Sequence, residues 1–283
     1  MSHAEQPIGV FDSGIGGISV LQALRQAMPN ERFVYLADSA HAPYGEKTDA
    51  QVQARSLTIA QHLVDQHGIK ALVVACNTAT AAAVHSLRAQ HPSLIVVGVE
   101  PALKPAAQAT QSGRIAVMAT RSTVHSEKFT RLLASLQGQA EYAVCACDGL
   151  ALAIERSTRC TDWDGAEAHI QALLVQYTAT LAPWGRAPGQ ADTLVLGCTH
   201  YVFVQEALQA LVGPEVRFID TGEPVAAQTR RRLHEAQTLR AMGTSPASDW
   251  VELLTTGELT SLQAAAQRWL ALPATACRQA DAL

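Results

Sequence analysis

The sequence predicts an α/β protein whose mainly parallel sheets are flanked by helices and divided between two domains. Three observations carry that reading. Short apolar runs alternate with longer amphipathic ones from Pro7 to Val99, the βαβα pattern of a parallel sheet. Glu100-Pro101 then interrupts the pattern, and the alternation restarts at Arg114, which places a domain boundary near residue 100. Finally, one stretch occurs twice. Ala71-Leu72-Val73-Val74-Ala75-Cys76-Asn77-Thr78 and Thr193-Leu194-Val195-Leu196-Gly197-Cys198-Thr199-His200 both run from an apolar strand to a cysteine and then to polar side chains suited to starting a helix.

Taken in order, Pro7 to Phe11 reads as the first strand. Asp12-Ser13-Gly14-Ile15-Gly16-Gly17 is a turn into a helix that carries Ile18, Leu21, Leu24 and Met28 on one side. That turn lacks the third glycine of a dinucleotide fingerprint, because Ser19 stands in its place. It reads instead as a small anion-binding turn, with Asp12 either capping the helix, accepting an ammonium group or modulating a thiol. Arg32 to Asp38 forms a second strand, and Ala42-Pro43-Tyr44-Gly45 a loop at its carboxyl end. Residues 48–67 are helical in pattern, followed by the Cys76 strand, an Ala-rich helix to about Gln90 and a strand from Leu94 to Val99.

In the second half, strands are expected at Arg114 to Ala119, Tyr142 to Cys147, Thr193 to Cys198 and Val216 to Ile219. Residues 183–192 read as a surface loop. A long polar helix should follow Gly222 and run to about Met242. Beyond it come a strand near Val251 to Thr255, a helix near Leu259 to Leu270 and a loose tail.

Composition narrows the function. The 283 residues are 48% hydrophobic and 16% charged, with a net charge of −4, which suits a compact globular protein and offers no basic surface for nucleic acid or anionic membrane. The one basic run, Arg230-Arg231-Arg232, reads as the solvated face of a helix. No apolar stretch is long enough to span a bilayer and no leader precedes the first strand, so a cytoplasmic protein is expected. The six cysteines are then read as reduced thiols. Cys145-Ala146-Cys147 lacks a second Cys or His pair to complete a zinc set and is read as structural.

Cys76 and Cys198 are different. A thiol between a strand end and a helix start sits in a field that favours its anion, lowering a pKa ordinarily near about 8.5. Either cysteine alone reads equally as a core residue, but two in matched settings do not. The crevice beyond the carboxyl ends of parallel strands is where ligands bind, and two such thiols would hold one small molecule between them.

Phe11-Asp12-Ser13-Gly14-Ile15-Gly16-Gly17, Pro43-Tyr44-Gly45, Ala75-Cys76-Asn77-Thr78-Ala79, Glu100-Pro101-Ala102 with Lys104-Pro105-Ala106, and Leu196-Gly197-Cys198-Thr199-His200-Tyr201 resemble, in matching order, the glutamate racemases of the aspartate/glutamate racemase superfamily. The resemblance covers residue 7 to about residue 270. It implies two pseudo-symmetric α/β domains, residues 1–99 with 222–283 and residues 100–221, and an active site in the interdomain cleft. It further implies cofactor-independent interconversion of L- and D-glutamate for peptidoglycan synthesis. Cys76 would deprotonate D-glutamate and Cys198 L-glutamate. Asp12, Ser13, Tyr44, Gly45, Asn77, Thr78, Thr120, Thr123, Thr199 and His200 match substrate-binding positions, with Asp12 and His200 also helping the nearer cysteine. Glutamate is the expected partner, with neither nucleic acid nor membrane, and a homodimer or a monomer–dimer equilibrium is the expected assembly.

The chemistry suits the residue types. Inverting a carbon centre by proton transfer needs a base on each face, since one base returning its own proton would preserve configuration. Lys47, Lys70, Lys104 and Lys128 lie in no context that suggests a Schiff base, and no cofactor or metal is expected. Two departures from the family pattern stand out. Cys147-Asp148-Gly149-Leu150-Ala151-Leu152-Ala153-Ile154-Glu155 keeps the glutamate of a C-P-x-F-V-P-x-V-E stretch but neither proline, leaving open how Glu155 is presented to His200; Glu155 reads equally as a surface carboxylate. Val202 stands where the family often has proline. Aspartate racemisation, a non-catalytic amino-acid-binding or regulatory role, and hydrolysis with Cys198 as nucleophile are the competing readings; the last leaves Cys76 unexplained.

Overall fold

The computed structural model describes residues 3–158, 163–241 and 251–280, which divide into two compact units, residues 1–99 with 222–283 and residues 100–221. In the first unit, strands β1 (Ile8–Asp12), β2 (Phe33–Ala37), β3 (Ala71–Val74), β4 (Ile95–Gly98), β9 (Val251–Thr255) and β10 (Cys277–Gln279) form one parallel sheet in the order β10-β9-β2-β1-β3-β4. Helices α1 (Ile18–Ala27), α2 (Asp49–His67), α3 (Asn77–Gln90), α10 (Gly222–Glu235) and α11 (Leu259–Leu270) belong to the same unit. Every residue of β1, β2 and β3 is buried. Both faces of the central strands are therefore covered, which is why these strands read as continuous apolar runs rather than alternating ones.

The second unit contains β5 (Arg114–Ala119), β6 (Glu141–Ala146), β7 (Thr193–Gly197) and β8 (Arg217–Ile219), again all parallel, in the order β6-β5-β7-β8. Its helices are α4 (Leu103–Ala109), α5 (Arg121–His125), α6 (Glu127–Ala134), α7 (Leu150–Ser157), α8 (Trp163–Leu181) and α9 (Gln205–Val212). The β6-β5-β7-β8 order repeats the β2-β1-β3-β4 order of the first unit. Cys76 and Cys198 consequently follow topologically equivalent strands, the third of each repeat. The expected α/β architecture of mainly parallel, helix-flanked sheets is observed.

Two expectations are corrected. The polar helix ends at Glu235 rather than near Met242, which lies outside the described residues. It stops because Gln237 takes a left-handed conformation (φ 55°) and the Thr238 amide turns back to the Leu233 carbonyl at 2.9 Å. The Thr238 carbonyl is then held by the buried Lys70 ammonium at 2.9 Å, which also pairs with Glu31 at 2.5 Å. As far as Ala280 the tail is not loose: Cys277, Arg278 and Gln279 pair with Leu253, Leu254 and Thr255, and the Ala280 amide bonds the Thr255 carbonyl at 2.8 Å. Ala-Thr-Ala-Cys-Arg-Gln has no strand signature of its own, and the open edge of β9 supplies its pairing. The loop at residues 183–192 is anchored at its end by buried Asp192, which accepts from the Thr110 and Thr193 hydroxyls and the Gln111 and Ser112 amides.

Candidate active site

In the first unit, Asp12, Ser13, Cys76, Asn77 and Thr78 gather at the carboxyl ends of β1 and β3, and all are buried. Cys76 is the N-cap of α3, and its sulfur accepts the Ala79 amide at 3.4 Å. A backbone N–H at a helix start is a stabilising partner for sulfur carrying negative charge. The same thiol lies 3.8 Å from the Ser13 hydroxyl oxygen, to which its S–H donates. Asp12 accepts the Gly17 amide at 2.7 Å, closing the turn after β1. Gly17 has no room for a side chain, since an added Cβ would lie 2.6 Å from Asp12 Cβ and 3.0 Å from Ala75 Cβ. Tyr35 donates its hydroxyl to the Gly14 carbonyl at 2.5 Å and pins the same turn from β2.

Asn77 stands out. Its side chain is buried, and neither amide atom has a hydrogen-bond partner among the described residues. A buried amide left so costs free energy unless something occupies the space beside it.

Tyr44 and Gly45 lie on a one-turn 3-10 helix after Pro43, which is joined to Ala42 by a cis peptide bond. The Tyr44 ring packs in the same apolar cluster as Cys76, and its hydroxyl donates to Asp38 at 2.7 Å. Burial, the Asp38 charge and that hydrogen bond together push the Tyr44 hydroxyl far above the ordinary tyrosine range.

In the second unit, Thr120 and Cys198 follow β5 and β7, and Ala119 and Gly197 are paired in register. The Thr120 hydroxyl caps α5 by accepting the Thr123 amide and donates to the Thr123 hydroxyl at 2.9 Å. Thr199 and His200 begin a 3-10 helix, Thr199–Val204, that leads into α9. That is where the second copy of the strand-cysteine plan departs from the first. Cys198 receives no capping amide; its sulfur lies 3.7 Å from His200 Nδ1, and His200 Nε2 lies 2.8 Å from Glu155 Oε2. Glu155 and His200 are both buried. Burial alone would lower the His200 pKa, but the hydrogen bonds and charges of Cys198 and Glu155 outweigh it and hold the imidazole well above the ordinary histidine range.

Gly149, at φ 75°, makes the turn into α7 in a conformation that favours glycine, and the helix then presents Glu155 inward. Cys145 and Cys147 pack in the apolar cluster that also holds Cys198, and among the described residues no His, Cys, Asp and Glu side chains group in a way that could hold a metal ion.

A family profile described as Asp/Glu/Hydantoin racemase matches residues 8–229. The chain belongs to that family. It is therefore an amino-acid racemase, as the motif resemblance implied. Among relatives, the glutamate racemase of Cupriavidus pinatubonensis is 46% identical over 92% of this chain and 90% of that protein. That of Ectopseudomonas mendocina is 42% identical over 93% and 94%. Among solved structures, a glutamate racemase isoform of Bacillus anthracis superposes with a TM-score of 0.83 at 29% identity, over 99% of this chain and 98% of that one. The Escherichia coli glutamate racemase, in complex with L-glutamate and the activator UDP-MurNAc-ala, gives 0.78 at 28% identity, over 93% and 95%. No helix among the described residues is long and apolar enough to cross a membrane.

One feature of the racemase escaped the sequence reading. Asp38, fully buried at the end of β2, binds Arg55, Thr256, His41 and Tyr44. Its signal was present: like Asp12, it is an acid at the carboxyl end of a parallel strand.

Proposed function

We propose that this racemase interconverts L- and D-glutamate by a two-base mechanism that uses its own side chains, with Cys76 and Cys198 as the bases. Glutamate as substrate is supported by relatives named glutamate racemase at 42% to 46% identity across nearly the whole chain. The observation that carries the mechanism is the equivalent placement of the two sulfurs, each just beyond the third strand of a repeated four-strand order.

With D-glutamate bound, the Cys76 thiolate takes the α-proton and the Cys198 thiol delivers one to the opposite face. Cys76 ends as thiol and Cys198 as thiolate, the state ready for L-glutamate. The α-carbanion between these steps draws stabilisation from hydrogen-bond donors on the substrate carboxylate in a water-poor site. Asn77, Thr78, Ser13, Thr199 and Thr123, whose hydroxyl is oriented by Thr120, are donors of that kind, and the open amide of Asn77 gives the substrate a ready partner. The two bases have different helpers: Cys76 has a helix-start amide and Ser13 beside Asp12, and Cys198 has the cationic His200 backed by Glu155. The D-glutamate produced serves peptidoglycan synthesis, and the protein acts in the cytoplasm.

Proton NMR of L-glutamate and L-aspartate in heavy water, with optical rotation followed in parallel, tests the reading. Loss of both the α-proton signal and the rotation for glutamate alone is the expected result. No exchange with either amino acid, from folded protein with reduced thiols, overturns it in favour of binding without turnover, and exchange of aspartate alone makes it an aspartate racemase.

A further inference from the structure

The carboxylate of Asp38 collects donors from segments far apart in the chain. Its Oδ1 accepts from Arg55 Nη2 at 2.7 Å and the Thr256 hydroxyl at 2.9 Å and meets His41 Nδ1 at 3.0 Å. Its Oδ2 accepts the Tyr44 hydroxyl at 2.7 Å and Arg55 Nε at 3.1 Å. The Asp38 amide bonds the Asp12 carbonyl at 2.9 Å, which ties this hub to the end of β1. Two oxygens offer about four lone-pair sites, so the carboxylate is saturated. The forked Arg55 contact balances its charge and fixes its plane.

Of these donors, Tyr44 alone sits in the motif expected to meet substrate. With its hydroxyl committed to Asp38, Tyr44 is not a proton carrier, and its ring is free only to pack beside Cys76. What the bond determines is where the turn bearing Gly45 is held.

We propose that Asp38 is a positioning residue of the racemase, fixing Tyr44 and so the Tyr44–Gly45 turn that binds substrate beside Cys76. The kinetic part of this inference rests on the glutamate reading above. Thr256, just beyond β9, explains one use of the carboxyl-terminal segment in the first unit: it helps hold the hub from the far side.

The test compares Asp38→Asn, Tyr44→Phe and the double variant with Glu31→Gln. The last weakens the buried Lys70 pair at the amino ends of the strands, away from the site, and controls for lost stability. For Asp38→Asn and Tyr44→Phe, KM should rise about tenfold with kcat changed less than about threefold, and the double variant should be no worse than Asp38→Asn alone. Glu31→Gln should lose thermal stability with KM unchanged. Equal KM shifts in Glu31→Gln, or additive effects in the double variant, overturn the proposal. A readout independent of turnover is the rate at which iodoacetamide alkylates Cys76, followed by peptide mass spectrometry. It should rise severalfold in Asp38→Asn and Tyr44→Phe but not in Glu31→Gln, and an unchanged rate in the first two counts against the proposal. If wild-type protein leaves glutamate unchanged, the substrate reading fails while alkylation still decides the role of Asp38. If Asp38→Asn does not fold, Tyr44→Phe alone carries both comparisons.

Discussion

His200 Nε2 lies 2.8 Å from Glu155 Oε2, with both side chains almost completely removed from solvent. The other ring nitrogen lies 3.7 Å from the Cys198 sulfur, so one imidazole joins a buried carboxylate to the proposed base. This line of three groups gives the chain its clearest pH prediction.

Burial disfavours the His200 cation, and Cys198 and Glu155 more than restore it, so its pKa is raised in the folded protein. Stability from this pairing is whole below the unfolded histidine value, about 6.5, and is lost as pH rises through the folded value. Replacing Glu155 by Gln removes one charge that sustains the cation. The imidazole should then titrate at lower pH by NMR, and the alkaline limb of kcat/KM for L-glutamate should move the same way. A limb that stays in place would separate Glu155 from the proton balance of Cys198.

Cys76→Ala and Cys198→Ala should each reduce racemisation by at least about a thousandfold, the scale expected when a positioned base is removed. Polarimetry on either enantiomer measures this. Full activity in Cys198→Ala would sink the two-base assignment.

Asn77→Ala should separate binding from stability. Since the Asn77 amide has no partner among the described residues, its removal relieves a desolvation cost of about 1 to 3 kcal/mol against some lost packing. Thermal unfolding should occur at the same temperature or higher while KM for glutamate rises. A large drop in melting temperature would mean that the amide serves the fold.

Asp192 supplies a test far from the chemistry. Burial opposes its charge, but four donated hydrogen bonds win and bring its pKa down to about 2. A depressed carboxyl contributes stability above its unfolded value, near about 3.9, and loses it as pH falls toward 2. Asp192→Ala should cost on the order of 2 kcal/mol at neutral pH by urea denaturation, and the difference from wild type should shrink in acid.

Much of this was legible in the chain. Buried parallel strands announce themselves as apolar runs, so the boundaries of β5 and β7 could be read to within a residue, and the helical period of apolar residues did the same for α11. Signals carried by one or two residues were weaker. The left-handed Gln237 that ends α10 has no glycine to mark it, and β10 is a strand because β9 offers it an edge.

The sequence by itself determined the alternation of strands and helices, the duplicated strand-cysteine plan and the identity of the polar residues that follow each thiol. These are local properties, set by the period of apolar residues and by what can start a helix. Tertiary structure alone decided how each thiol is supported. Cys76 receives the Ala79 amide because α3 begins directly at the cysteine. Cys198 is followed by a 3-10 turn and instead meets His200, braced by Glu155 from a helix 45 residues earlier. The Asp38 hub brings together residues 38, 44, 55 and 256. No spacing rule encodes such partners, because hydrogen bonds between distant segments depend on where the packed sheet delivers each side chain.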